Sequence, residues 1–213
     1  MPWHNSRTRE RNPLAPPSFI DPCLPTKADK PPTGNDWAHE IKHDGYRLQI
    51  HVGRAGVRLY TMSGYDWTER YPLIVAGAAG LTSAMVIDAE AVIQGPDGVT
   101  NFEALHARTR NPEAFAYVFD LLMLEGRDLR EMPWRERRAE LQRIFRRSRA
   151  GLMVSKAIVG RGPEVYQAAC RMGLEGIVSK RINAPYRSGK VKTWLKVKNP
   201  NAPGILRFKD SGA

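Results

Sequence analysis

Charged residues suited to phosphate chemistry occur three times in this chain at a spacing of two. The three sets are Glu40, Lys42 and Asp44; Asp88 and Glu90; and Lys196 and Lys198. In a strand, residues two apart point to the same face, so each set presents its charges together. Ammonium groups bind phosphates, and neighbouring carboxylates suit a hard cation such as Mg²⁺. Any single set could form surface salt bridges on a half-solvated sheet, but three sets favour a functional site.

Lys42 is the residue in these sets that could act as a nucleophile. An unperturbed lysine has a pKa of about 10.4 and is almost wholly protonated at neutral pH. Burial, the nearby Arg47 and a bound metal ion would disfavour the ammonium form, whereas Asp44 would favour it. We therefore expect a lowered pKa for Lys42.

Short runs of alternating apolar and polar residues predict the strands that position these charges. Such runs cover residues 39–52, 57–61 and 85–93. Helices are predicted after Asn101 as an N-cap, from Pro133, and from Pro163 to Gly173. Strands and helices mix without a regular βαβ rhythm, which predicts an α+β fold with antiparallel sheets flanked by helices.

Composition divides the chain into a central domain with two tails. Residues 1–35 are rich in proline and basic residues, which predicts an extended arm or a disordered tail. Residues 36–200 form the predicted domain, and residues 201–213 are a predicted C-terminal tail.

The chain is strongly basic, with 33 Lys and Arg against 22 Asp and Glu and a formal net charge of +11. This balance is compatible with a polyanionic partner and equally with a role in solubility alone. The two cysteines, Cys23 and Cys170, lack metal-binding spacing, and no apolar stretch is long enough for a membrane span. The sequence predicts an intracellular, cytoplasmic protein without a membrane role.

Five motifs in order resemble those of the covalent nucleotidyltransferases, which include DNA ligases, RNA ligases and mRNA capping enzymes. The motifs are Lys42-His43-Asp44-Gly45-Tyr46-Arg47, Asp88-Ala89-Glu90, Tyr117-Val118-Phe119-Asp120-Leu121-Leu122, Glu175-Gly176-Ile177-Val178-Ser179-Lys180 and Trp194-Leu195-Lys196-Val197-Lys198. The first matches the nucleotide-attachment pattern Lys-x-Asp-Gly-x-Arg. The run around Lys42 is most similar to the bacterial end-joining DNA ligases, which implies their ATP-grasp-like catalytic core.

The resemblance implies a role for each motif residue. Lys42 would carry AMP covalently, with Asp44 as a second catalytic residue. Glu40 would read the adenine amino group, with Phe119 and Val178 on opposite faces of the base. The implied nucleotide-binding set is Glu40, Ile41, Lys42, Arg47, Glu90, Phe119, Val178, Lys196 and Lys198, and the implied metal ligands are Glu90 and Glu175. Lys180, in the fourth motif, could equally be a solvated charge.

The implied function is an ATP-dependent DNA ligase core that forms lysyl-AMP, transfers AMP to the 5′-phosphate of a DNA nick and supports sealing in DNA repair. The implied cofactors are ATP and Mg²⁺ or Mn²⁺, and the implied partner is nicked double-stranded DNA at the nucleoid. An RNA ligase or capping-type enzyme is one alternative. A non-sealing subunit that binds AMP or a nick is the other.

Two departures from the family pattern limit this expectation. Only residues 199–213 follow Lys198, too few for the OB-fold that DNA ligases ordinarily carry, so an OB-fold or end-joining partner protein in trans is expected. Met62 stands where related ligases commonly have an arginine near the DNA 5′-phosphate. Because a thioether cannot bind phosphate, either another arginine replaces it or nick recognition is weakened.

Overall fold

The computed structural model describes residues 19–147 and 149–202. In this part of the chain the strands are β1 (Cys23–Lys27), β2 (Trp37–Ile41), β3 (Tyr46–Gly53), β4 (Gly56–Thr61), β5 (Met85–Val92), β6 (Phe115–Leu124), β7 (Arg127–Asp128), β8 (Leu152–Val154), β9 (Ala157–Val159), β10 (Gly176–Arg181) and β11 (Gly189–Lys198). The α-helices are α1 (Pro72–Ala79), α2 (Phe102–His106), α3 (Trp134–Ile144) and α4 (Gly162–Arg171), and the 3₁₀ helices are Thr68–Arg70 and Asn111–Glu113.

The strands form two sheets. Sheet 1 has the order β1-β11-β10-β2-β9, and sheet 2 has the order β4-β3-β5-β6-β7 with β8 also paired to β6. The pairings are antiparallel except for β1 with β11 and β6 with β8, which are parallel. The predicted α+β class with mainly antiparallel sheets is confirmed.

The alternation of residues along β3 and β5 gives sheet 2 two different faces. Leu48, Ile50 and Ile87 point to one face and join the largest buried apolar cluster, together with residues of α1. On the opposite face, Val86 of β5 packs in a second cluster with Trp194 of sheet 1. The side chains between the sheets therefore include the charged residues of β3 and β5, because these alternate with the buried apolar ones.

Two helices complete the packing around the sheets. Ala169 of α4 packs against Ile177 and Val197, on the face of sheet 1 opposite to the cavity described below. Arg137 of α3 forms a fully buried two-point ion pair with Asp120 of β6, with N–O distances of 2.8 and 2.9 Å. Because a lone buried charge is costly, this pair fixes α3 against β6.

The predicted helix starts agree with the structure. Asn101 Oδ1 accepts a hydrogen bond from Ala104 N at the start of α2, and Pro133 lies directly before α3. Pro163 is in the first turn of α4, and Gly173 follows that helix with a φ of 69°. The sequence does not predict α1, because its short apolar run of small residues lacks helical periodicity.

The long strand predicted over residues 39–52 is wrong. It is divided into β2 in sheet 1 and β3 in sheet 2, and residues 42–45 connect the two sheets. Only Glu40 of the first charged set therefore lies on a strand. Gly45 permits the crossing, because a Cβ atom there would lie 2.1 Å from the backbone oxygen of Ala91.

Part of the predicted N-terminal arm belongs to the fold. Residues 23–27 form β1, an edge strand of sheet 1 that pairs with β11, whereas residues 1–18 lie outside the described part of the chain. Most of the predicted C-terminal tail also lies outside it. No described helix has the length and apolar character needed to cross a membrane.

Candidate active site

A cavity of about 500 Å³ lies between the two sheets, and its volume is in the range of small-molecule and cofactor sites. Strands β2, β3, β10 and β11 each contribute residues to its lining. Eight of the implied site residues line it: Glu40, Ile41, Lys42, Arg47, Glu90, Phe119, Val178 and Lys196. Asp44, Glu175 and Lys198 do not line it, although Glu175 and Lys198 are linked to Lys42 through the ion pairs described next.

Lys42 occupies the first position of the connection between the sheets. Its backbone nitrogen donates a hydrogen bond to Gly176 O over 2.9 Å, and its Nζ donates to Glu175 Oε2 over 2.6 Å. Both contacts fasten the connection to β10 and the residue before it. The amine is thereby held at the cavity wall, with 24% of the side chain exposed.

The pKa of Lys42 is raised, which contradicts the expected lowering. Burial lowers this pKa, but the charges of Glu175 and Glu90, the hydrogen bond to Glu175 and the charge of Asp44 raise it by more. Arg47, which was expected to lower it, is already neutralised by Asp88. The pKa of Lys42 is therefore raised because the nearby carboxylates outweigh the effect of burial.

Lys198 of β11 contacts the same carboxylate, and Lys196 precedes it by two residues on that strand. Lys198 Nζ lies 3.2 Å from Glu175 Oε1, so Glu175 bridges Lys42 and Lys198. Lys196 lines the cavity, and its pKa is lowered by burial and by the charges of Lys42 and Lys198. We call Lys42, Glu175, Lys196 and Lys198 the lysine–glutamate cluster. It concentrates positive charge at one part of the cavity.

Glu90 and Glu175 fit a cation that shares its coordination with phosphates. Glu90 lines the cavity, and Glu175 binds Lys42 at its wall. Burial raises the pKa of Glu90 to about 7, and the charge of Glu175 adds to this effect. The described residues contain no cluster of three or more metal-binding side chains. Mg²⁺ commonly takes only one or two carboxylates together with substrate phosphates and water, so this pair suits it.

Asp88 does not have the role that its pairing with Glu90 predicted. It is fully buried and accepts hydrogen bonds from Arg47 Nε and Nη2, at 2.9 and 2.6 Å, and from the Tyr186 hydroxyl at 2.7 Å. Arg47 Nη1 also donates to Cys23 O. Asp88 is therefore committed to holding Arg47, and Arg47 ties β3 to β5 and β1. The predicted contact of Arg47 with a nucleotide stays a prediction.

In a second group of residues at the cavity, Glu40, Lys180 and Trp194 are buried and Phe119 is partly buried. We call these four residues the aromatic–lysine cluster. Lys180 Nζ donates to Glu40 Oε1 over 3.0 Å and lies 4.5 and 4.3 Å from the ring centroids of Phe119 and Trp194. Val178 is paired with Glu40 across β2 and β10, which places both on the cavity side. The reading of Lys180 as a solvated charge is wrong, because only 1% of the residue is exposed.

Sequence reasoning assigned no role to His43, although it lies between the two predicted catalytic residues. Its ring stacks on Tyr117 with a centroid distance of 3.6 Å and an interplanar angle of 5°. Burial and the charge of Lys42 lower the pKa of His43 to about 4, so the imidazole is neutral at pH 7. Nothing in the spacing of the motif indicates this stack, which depends on a residue from β6.

Met62 and Tyr65 form an apolar part of the cavity wall after β4. They are 52% and 71% exposed, and the turn that carries them is held by hydrogen bonds from Gly64 N to Thr61 O and from Thr61 N to Tyr65 O, both 2.9 Å. Met62 thus lies at the cavity, where a phosphate-binding arginine was expected in related ligases. No charged side chain substitutes for it within this turn.

Comparison with known proteins places this geometry in a family. The family model described as "ATP dependent DNA ligase domain" matches residues 26–198. The multifunctional non-homologous end joining protein LigD of Pseudomonas aeruginosa is 36% identical over 187 residues, which cover 85% of this chain and 22% of that protein. LigD of Mycobacterium tuberculosis is 33% identical over 174 residues, which cover 81% of this chain and 23% of that protein.

Solved structures agree with the sequence relatives. The ligase domain of M. tuberculosis LigD matches with a TM-score of 0.77 and 32% identity over 84% of this chain and 60% of that one. A Chlorella virus DNA ligase-adenylate, at 16% identity and a TM-score of 0.62, shares the fold. The chain spans less than a quarter of the LigD proteins that it matches. From the family match over residues 26–198 and these relatives, this chain belongs to the ATP-dependent DNA ligase family.

Proposed function

We propose that this chain is the catalytic core of an ATP-dependent DNA ligase and that Lys42 becomes covalently attached to AMP. The observation that carries the proposal is the position of the Lys42 amine, which lines a nucleotide-sized cavity beside Glu175 and near Lys196. The LigD and DNA ligase names of its relatives favour this function over an RNA ligase or a capping-type enzyme.

The proposed reaction has three phosphoryl-transfer steps. Lys42 Nζ, after losing a proton, attacks the α-phosphorus of ATP, and the bond from that phosphorus to the bridging oxygen of the β-phosphate breaks to release pyrophosphate. A 5′-phosphate oxygen at a DNA nick then attacks the same phosphorus and frees the lysine. Finally, the 3′-hydroxyl attacks the 5′-phosphate, releases AMP and seals the strand.

The side chains support these steps mainly through position and charge. Glu40, Phe119 and Val178 would hold the adenine, while Lys196 and Lys198 would neutralise phosphate charge. Mg²⁺ or Mn²⁺ held by Glu90 and Glu175 would supply further positive charge at the phosphates. When Glu175 releases Lys42, the strongest charge that raises the pKa of the amine is removed, which favours the nucleophilic form.

Nicked duplex DNA is the proposed substrate, and an OB-fold or end-joining partner protein in trans remains part of the proposal. The net charge of +11 supports a polyanionic substrate. Action in DNA repair and a cytoplasmic, nucleoid-associated location also belong to this proposal.

Labelling with ATP carrying a radioactive α-phosphate tests the proposal directly. We expect the purified chain, with Mg²⁺, to retain label on a denaturing gel, and we expect Lys42→Ala to retain none. Lys30→Ala, which removes an exposed lysine outside the cavity, is the matched control and should take up label normally. Unlabelled GTP should compete much less well than ATP if the base pocket reads adenine.

A second assay separates ligation from AMP binding. The chain should seal a nick that already carries AMP on its 5′-phosphate, and Lys42→Ala should retain part of this final step. If the wild-type chain takes no label at high concentration and long times, and leaves the pre-adenylylated nick open, the catalytic proposal is rejected and the non-sealing binding subunit replaces it.

A further inference from the structure

The connection between β8 and β9 brings a further polar side chain to the cavity. Ser155 directly follows β8, is buried and lines the cavity. Val154 is paired with Val118 of β6, and Ser155 N donates a hydrogen bond to Val118 O over 2.9 Å, so the parallel pairing continues to this residue. Val154 and Val118 pack in the largest apolar cluster. Ser155 and Phe119, which both line the cavity, lie on the other face, between the sheets.

The strand that follows Ser155 leads to the other side of the aromatic–lysine cluster. Ala157, the first residue of β9, is paired with Glu40 of β2. The connection therefore passes from the strand that carries Phe119 to a neighbour of Glu40 within a few residues. Both pairings place Ser155 at the end of the cavity formed by the aromatic–lysine cluster, where the adenine is proposed to bind.

A buried arginine holds the backbone of Ser155. Arg138 of α3 donates from Nη2 to Ser155 O, whereas among the described residues its Nε and Nη1 have no hydrogen-bond partner. The charge of Arg138 also lowers the pKa of Lys180, so the guanidinium lies beside the same cluster. A buried cation with so few partners is costly, and such costs are characteristic of functional sites.

The hydroxyl of Ser155 is available to a ligand. The backbone nitrogen and oxygen of this residue are both bonded, and no residue in the described part of the chain forms a hydrogen bond with its Oγ. A hydroxyl can donate one hydrogen bond and accept two. In a mainly apolar site, a few polar groups of this kind fix the orientation of the ligand.

The edge of adenine offers two adjacent groups that match this end of the cavity. Its amino group donates a hydrogen bond, and the ring nitrogens beside that group, N1 and N7, accept one. Lys180 binds Glu40 Oε1, which leaves Oε2 for the amino group, and the Ser155 hydroxyl supplies the donor for a ring nitrogen. Guanine fits less well, because an oxygen replaces the amino group and N1 carries a hydrogen.

We propose that Ser155 determines specificity for adenine together with Glu40, by donating a hydrogen bond from its hydroxyl to a ring nitrogen beside the adenine amino group. Arg138 is the positioning residue that holds Ser155 in place through its carbonyl oxygen. This inference rests on the proposed function, in which ATP occupies the cavity, and it adds a base-contacting residue that lies outside all five motifs.

Equilibrium binding of ATP to Lys42→Ala, measured by calorimetry with Mg²⁺, tests the proposal without the covalent step. Adding Ser155→Ala should weaken ATP binding about threefold to tenfold, the loss expected for one hydrogen bond. The matched control is Ser83→Ala, which removes a hydroxyl bonded to Glu125 outside the cavity and should leave the affinity unchanged. Equal affinities with and without the Ser155 hydroxyl would overturn the proposal.

Two analogues of ATP separate a contact with the base from a change in folding. In 1-deaza-ATP and 7-deaza-ATP a carbon replaces N1 or N7, so each lacks one acceptor beside the amino group. We expect one of them to bind Lys42→Ala about as weakly as ATP binds Lys42→Ala/Ser155→Ala, and to lose nothing further when Ser155→Ala is added. If both analogues bind as tightly as ATP, or if Ser155→Ala weakens all three nucleotides equally, the hydroxyl does not contact the base and the proposal is rejected.

Labelling of the chain with radioactive ATP reports separately on the proposed function. A chain that shows the Ser155-dependent contact but never takes label on Lys42 supports the role of Ser155 and rejects the catalytic proposal. Label in a chain whose ATP affinity does not depend on Ser155 does the reverse. A chain that binds no ATP rejects both.

Discussion

Two lysine–glutamate pairs at the same cavity behave in opposite ways. Lys180 and Glu40 are 3.0 Å apart, with side chains only 2% and 4% exposed, whereas Lys42 and Glu175 are 2.6 Å apart, with side chains 24% and 7% exposed. The pKa of Lys180 is lowered and the pKa of Lys42 is raised. The same pairing chemistry therefore gives opposite results at two ends of one site.

The surroundings of each amine explain the difference. Burial is the largest effect on Lys180, and the nearby Arg138 adds to it, so the attraction of Glu40 and Asp120 does not compensate fully. At Lys42, burial is outweighed because several carboxylates act together. Lys180 is thus a fixed part of the cavity wall. The charge of Lys42 depends instead on whether the nearby carboxylates bind it or bind another group.

The two clusters differ in how firmly their side chains are held before a ligand binds. In the aromatic–lysine cluster the ion pair of Glu40 and Lys180 is buried and packs against Trp194 and the partly buried Phe119, so the cluster can present a fixed surface to a flat base. In the lysine–glutamate cluster the three lysines are partly exposed and outnumber the single carboxylate of Glu175, so the cluster keeps a net positive charge. We infer that specificity for the base resides in the first cluster and that the response to phosphates and metal resides in the second.

The largest effect on this comparison is expected from Lys180→Met, which leaves Glu40 without its buried partner. We expect a loss of about 3–5 kcal/mol in the free energy of unfolding, because an uncompensated buried charge remains. For a chain of this size the melting temperature should fall by about 10 °C. Urea and thermal unfolding measure both quantities.

Two further variants control this prediction. Lys180→Met/Glu40→Met removes both charges and should recover most of the lost stability. Lys42→Met should cost no more than about 1 kcal/mol, because Glu175 keeps Lys198 as a partner. Equal costs for Lys180→Met and Lys42→Met would show that the two pairs do not differ in the way described.

A smaller effect is expected from His43→Phe, which reports on the charge beside Lys42. The folded chain holds the pKa of His43 at about 4, below its usual 6.5, so the unfolded chain binds this proton more readily. The stability that neutral His43 contributes is therefore complete above pH 6.5. It is lost as the pH falls toward 4, and the loss is roughly 2–3 kcal/mol. His43→Phe keeps a ring against Tyr117 and should lose this part of the pH dependence.

Urea unfolding at several values between pH 4 and pH 7 measures the His43 contribution. The difference in stability between wild-type chain and His43→Phe should change across this interval and stay constant above it. A constant difference at every pH would mean that His43 titrates in the folded chain as it does in the unfolded chain.

The sequence predicted which residues line the cavity better than it predicted how they are arranged. Motif order placed Lys42 in the predicted site, and alternation along the chain predicted β4 and β5, because both signals are local. Neither signal shows which carboxylate meets which cation. The commitment of Asp88 to Arg47 and the raised pKa of Lys42 result from contacts between strands distant in sequence.

Lys180 and the split strand illustrate the same limit. A lysine in a strand is ordinarily solvated, and only the pairing of β10 with β2 and the rings of Phe119 and Trp194 bury this one. Likewise, alternation continues through residues 42–45, but the close approach of Ala91 requires Gly45 and marks the crossing between sheets. That approach is tertiary and leaves no periodic signal.

The smallest effect is expected from Met62→Arg, which adds one cation to the exposed end of the cavity. Because Met62 is 52% exposed in a turn held by backbone hydrogen bonds, stability should change by less than about 0.5 kcal/mol. Binding of nicked duplex should tighten, and the slope of log K against log salt should steepen by about 0.9 for one added phosphate contact.

Met153→Arg is the matched control, since Met153 is 50% exposed on β8 and outside the cavity. If both variants steepen the slope equally, added charge alone explains the gain; a gain confined to Met62→Arg locates a DNA phosphate at the part of the cavity wall formed by Met62 and Tyr65.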